Sequence, residues 1–122
     1  MKVLLAEDSR FVRIATEKVL TQAGHQVITA VDGDKALQMA REQAPALILL
    51  DMMLPKLSGT EVLKALKQDP ATANIPVIVL SGLSQKNADQ LKKDGAAGFI
   101  EKSDLNTGSS QLLAEIERIL KA

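Results

Sequence analysis

Acidic, hydroxyl and amine groups stand at the ends of short apolar runs. Glu7 and Asp8 follow Val3 to Ala6, Asp51 follows Ala46 to Leu50, Ser81 follows Val77 to Leu80, and Lys102 lies just past Gly98 to Ile100. A fifth run, Gln26 to Ala30, ends without a candidate. If the carboxylates converge, they must contend with one another: two like charges ~4 Å apart at an effective dielectric of ~20 repel by about 4 kcal/mol. Such a cluster needs protons, a cation or both. A hard divalent ion suits an acid-rich set with no cysteine in the chain and no histidine near these positions. Mg²⁺ takes oxygen ligands, keeps several waters and bridges carboxylates to phosphate oxygens. Together with Lys102 the set describes a phosphoryl site, in which Asp51 attacks while Mg²⁺, Lys102 and Ser81 hold the phosphoryl oxygens.

These residues need a scaffold that brings distant segments to one rim. Several of the apolar runs are continuous, which suits strands covered on both faces in a parallel sheet. Between them the spacing turns helical. Val12, Ala15, Val19 and Ala23 recur at steps of three and four, as do Leu112, Ile116 and Ile119, flanked by Leu113 and Leu120. Ser58 and Glu61 read as a capping box opening a helix through about Lys67, and Asp32 as the cap of a helix around Ala36, Leu37 and Ala40. Gly24 and Gly95 read as helix stops. Ser84 to Asp94 has the thinnest apolar face, with Ala88 and Leu91 alone. Strand followed by helix, five times over, specifies an α/β doubly wound domain with a five-stranded parallel sheet and helices on both faces. Ligands of such sheets bind outside the carboxyl ends of the strands, where the candidate residues fall.

The 122 residues carry 15 basic and 15 acidic side chains, with 46% hydrophobic and 2% aromatic residues. The expectation is one domain over residues 1–122 with an ordinary core. Zero net charge with both signs spread evenly speaks against a nucleic-acid surface. The absence of cysteine removes disulfides, thiol nucleophiles and thiolate metal sites. Every apolar run is strand-sized, and the N-terminus lacks the features of a signal peptide, so no membrane insertion and a cytoplasmic location are expected.

At these residues the chain resembles the receiver domain of two-component response regulators, and looks like its single-domain, chemotaxis-receiver type. The marks are Glu7-Asp8, the Asp51-Met-Met-Leu-Pro55-x-x-Ser-Gly59 segment, Ser81 after a hydrophobic strand and Lys102 three residues after Phe99. The resemblance implies a flavodoxin-like (βα)5 fold with strand order 2-1-3-4-5. It implies Asp51 as phosphoacceptor, Mg²⁺ bound by Asp8, Asp51 and the backbone carbonyl of Met53 with Glu7 helping through water, and Ser81 and Lys102 on the acyl phosphate. It further implies a histidine kinase or phosphotransfer protein as donor, a target protein downstream, a monomer or weak dimer, and a signalling domain that turns over no external substrate. Ser81 and Phe99 would switch the face made by the fourth helix, fifth strand and fifth helix.

The chain departs from the family pattern in two places. Ser103 follows the lysine where proline is usual, and Phe99 stands where tyrosine is common, leaving packing alone to signal. Met53 and Leu83 would flank the path of attacking water with apolar groups, so slow decay of the acyl phosphate is expected. Blander readings stand beside these. Glu7 or Asp8 can be a helix cap, Ser81-Gly82 a turn start, His25 an exposed turn residue, and Gly33, Gly59 and Gly95 ordinary turn and cap glycines. An aspartyl-phosphate phosphohydrolase would need an Asp-x-Asp motif that Asp51-Met52-Met53 lacks. A flavin or nucleotide carrier is disfavoured by the lack of Trp, Tyr and a Gly-rich first turn. A phosphorylation-independent interaction module on the same fold is the remaining alternative.

Overall fold

The computed structural model describes residues 1–81, 88–101 and 110–121. Strand β3 (Leu47–Asp51) is buried along its whole length, as a continuous apolar run covered on both faces must be. Around it the chain alternates strand and helix: β1 (Lys2–Ala6), α1 (Arg10–Gln22), β2 (Gln26–Ala30), α2 (Gly33–Gln43), then after β3, α3 (Gly59–Gln68), β4 (Val77–Ser81), α4 (Ala88–Lys93), β5 (Gly98–Glu101) and α5 (Ser110–Lys121). The five strands form one parallel sheet in the order β2-β1-β3-β4-β5. This is the flavodoxin-like order, with its switch point between β1 and β3.

Alternation of side chains along each strand splits the core in two. Leu4, Ala6, Ile48, Leu50, Val77 and Val79 face α2, α3 and α4 through Ala36, Ala40, Val62, Leu63, Leu66 and Leu91. Val3, Leu5, Leu47, Leu49, Ile78, Leu80 and Ile100 face α1 and α5 through Leu20, Leu112 and Ile116. Each fully buried leucine contributes about 1.5–3 kcal/mol, and truncating one to alanine costs about 2–5 kcal/mol once the cavity is included. No helix among the described residues is long and apolar enough to cross a membrane.

The expected caps hold for α2 and α3: Asp32 accepts from the Lys35 N–H at 2.8 Å, and Ser58 from that of Glu61 at 3.3 Å. Gly24 (φ 93°) and Gly95 (φ 112°) leave their helices in the left-handed region that glycine adopts without strain. Helix α1 corrects one reading, because Ser9 caps it, and neither Glu7 nor Asp8 does. The strands also run slightly further than the apolar runs suggest, so Asp51 and Ser81 are the last residues of β3 and β4.

His25 is a second correction. It is half-buried, and its Nδ1 is enclosed without a hydrogen-bond partner among the described residues. With Met1, Ala23, Leu113, Ile116, Leu120 and Glu117 it lines a cavity of about 490 Å³. Burial, followed by the N-terminal ammonium, holds the imidazole pKa below its usual 6.5.

Candidate functional site

The parallel register determines which residues meet at the carboxyl edge. Ala6 pairs with Leu50 on one side and Ala30 on the other, so Glu7 and Asp8 leave β1 beside the end of β3, where Asp51 stands. One carboxylate oxygen from each of Glu7, Asp8 and Asp51 lies within 4.8 Å of the others. Glu7 is 0% and Asp51 1% exposed, while Asp8 opens to solvent.

Backbone N–H groups hold the two buried acids. The Ser9 N–H donates to Glu7 Oε2 at 3.1 Å, and the Met53 N–H to Asp51 Oδ1 at 3.2 Å. The Glu7 N–H donates to the Ala30 carbonyl at 3.0 Å, tying the first loop to the end of β2. The three acids nevertheless meet in one small volume, an arrangement that could hold a hard cation through oxygen ligands. The donor set fits such an ion: all oxygens, no sulfur or imidazole, and one acid open to water.

The loop from Met52 to Ser58 is seated by Gly33 and Gly59, which do more than the ordinary turn and cap roles expected of them. A Cβ on Gly33 would lie 2.4 Å from Leu57 Cβ, and one on Gly59 would lie 2.6 Å from Met52 Cα. Each instead makes a close backbone contact. The Gly33 N–H donates to the Pro55 carbonyl at 3.2 Å, and the Gly59 N–H to that of Met52 at 3.0 Å. A sequence signal existed. Both glycines occupy the first turn of a helix directly after its cap, where almost any other residue would stabilise the helix better, so another demand must select them. Lys56, with φ 70°, sits 3.7 Å from Asp32 and links this loop to the cap of α2.

The remaining expected residues are less closely placed. Met53 contributes its N–H to Asp51 and leaves its side chain 70% exposed beside the acids. Ser81 ends β4, one residue beyond the Leu80 that pairs with Asp51, and its own backbone partner is Glu101. Phe99 is partly buried and packs on the core beneath α2, α3 and α4. Lys102, Ser103 and Leu83 lie outside the described residues.

A doubly wound sheet with two buried acids and one exposed acid gathered at its switch point defines an α/β domain with an acidic site that could hold a cation. The chain belongs to the response regulator receiver domain family, whose profile matches residues 3–116. It is 39% identical over 121 residues to the gliding motility regulatory protein of Myxococcus xanthus, covering 98% of this chain and 15% of that protein. It is 34% identical over 101 residues to the polar-differentiation response regulator DivK of Brucella anthropi, covering 82% of each. The fold matches that of the Vibrio cholerae chemotaxis protein CheY4 with a TM-score of 0.87 and 30% identity over 98% of both chains.

Proposed function

We propose that this chain accepts a phosphoryl group on Asp51 from a phosphohistidine of a kinase or phosphotransfer protein, in a Mg²⁺-dependent reaction, and switches a partner-binding face. The observation that carries the reading is the convergence of the Glu7, Asp8 and Asp51 oxygens within 4.8 Å at the switch point of a receiver-family sheet. Asp8, Asp51 and the Met53 carbonyl would hold Mg²⁺, with Glu7 assisting through water. When bound, the ion neutralises charge on the transferring phosphoryl oxygens.

The protein's own groups do the rest. The Met53 N–H fixes Oδ1 of Asp51, which orients the carboxylate for in-line attack. A carboxylate oxygen forms the new P–O bond as the P–N bond of the donor breaks, and the leaving imidazole nitrogen keeps the bonding electron pair. Ser81 and Lys102 are assigned to the phosphoryl oxygens by resemblance to the family. The output face is assigned to α4, β5 and α5, with Phe99 responding through packing and a downstream target protein docking there. On this reading the domain assists its own phosphorylation and dephosphorylation, turns over no external substrate, and works in the cytoplasm.

The test is intact-protein mass after incubation with Mg²⁺ and a small acyl-phosphate donor, then with a phosphorylated histidine kinase. One added phosphoryl group is expected in the wild type, and none in Asp51→Asn or in the presence of chelator. No gain from either donor overturns the reading in favour of a phosphorylation-independent interaction module.

A further inference from the structure

The three acids are not held alike. Glu7 and Asp51 each accept a backbone N–H, whereas no hydrogen bond reaches the Asp8 carboxylate among the described residues. Asp8 is also the exposed member of the cluster. Its direction therefore depends on its backbone, and one side chain governs that backbone from both sides. Nη1 of Arg13 donates to the carbonyl of Glu7 and to the carbonyl of Asp8, at 3.3 Å each. Those carbonyls belong to the two peptide planes that flank the Asp8 Cα. Orienting both planes restricts φ and ψ of Asp8, and with them the direction of its Cα–Cβ bond. Arg13 is itself well placed to act as a brace, one turn into α1, with its N–H donating to the Ser9 carbonyl at 2.9 Å.

We infer that Arg13 is a positioning residue for the cation pocket: its guanidinium clamps the Glu7 and Asp8 carbonyls and so aims the Asp8 carboxylate at the site shared with Glu7 and Asp51. The inference rests on the cation reading of that cluster. It makes a prediction opposite in sign to simple electrostatics. Arg13 carries a positive charge near a cation site, so charge alone requires that removing it tighten cation binding. Loss of the clamp requires the reverse, since removing a residue that orients metal ligands typically lowers affinity by about 10–100-fold.

Mn²⁺ serves as the probe, its binding followed by electron paramagnetic resonance of the free ion in titrations of wild type, Arg13→Met, Arg13→Lys and Arg10→Met. Metal-free unfolding temperature is measured on each. The expected result is Mn²⁺ affinity at least about tenfold weaker in Arg13→Met, partial recovery in Arg13→Lys, whose ammonium restores both donors and charge, and no loss in Arg10→Met. A structural role alone would lower the unfolding temperature without that order of affinities. If Arg13→Met does not fold, Arg13→Gln takes its place with the same expectation. Mn²⁺ binding to the neutral variant as tight as, or tighter than, wild type overturns the role of Arg13 and leaves the cation reading intact. Absence of saturable binding to wild type, or binding that survives Asp8→Asn, overturns both.

Discussion

At the carboxyl edge of the sheet, Glu7, Asp8 and Asp51 bring three like charges within 4.8 Å; at the amino edge, one half-buried cation is surrounded by neutral dipoles. There Lys67 donates to the carbonyls of Ala73 at 3.1 Å and Ile75 at 2.9 Å. Its stem fills the space under Gly95, where a Cβ would lie 2.7 Å from Lys67 Cγ. Burial holds the Lys67 pKa below its usual 10.5, and the two carbonyls oppose that by accepting from the charged form. The amino-edge charge is thus satisfied within the fold. At the carboxyl edge the three acids share one small volume, and on the cation reading proposed above their mutual repulsion would favour an ion from outside the chain.

Substitutions at the two edges should therefore change stability with opposite signs. The largest effect is expected for Lys67→Met, which strips donors from two carbonyls and should destabilise the chain by about 1–3 kcal/mol in urea unfolding. An unchanged midpoint would show that the amino edge needs no such cation. Asp8→Asn should act the other way, raising the metal-free unfolding temperature by about 2–4 °C through relief of repulsion. Saturating Mg²⁺ should then reverse the order, because it stabilises the wild type by mass action and the variant far less. Calorimetry with and without the ion reads both signs, and a destabilised metal-free variant would remove the contrast between the edges.

The smallest effect concerns His25. Its folded pKa lies below 6.5, so the unfolded chain binds the proton more readily, and stability present above that pH is lost as pH falls through the window beneath it. Among the described residues, the N-terminal ammonium and Glu117 are the charged groups beside it. His25→Gln should flatten the urea midpoint between pH 7.5 and 5.5. An equally steep loss in the variant would assign that dependence to other groups.

Much of the architecture was legible because burial on both faces writes itself into the chain as continuous apolar runs, and such runs place the residues that follow them. Asp32 and Ser58 were readable as caps because capping is a local bond between residues three apart. The roles of Gly33 and Gly59 were not, since their demand for space comes from backbone brought back by tertiary folding. His25 was misplaced for the same reason: the cavity it lines is shared with residues of α5, remote in sequence. Arg13 went unnoticed because a side chain that acts on carbonyls leaves no pattern in residue types. Lys102 and Leu83 fall outside the described residues and keep only their sequence assignment.

Among the described side chains of helix α4, Leu91 is the only buried one. Removing that contact costs the burial of one leucine, about 1.5–3 kcal/mol. A charge-assisted hydrogen bond to a newly acquired phosphoryl group contributes a similar amount. On the proposed function, the burial of Leu91 would be matched in strength to a phosphoryl contact, so phosphorylation would shift this part of α4 without opening the rest of the core.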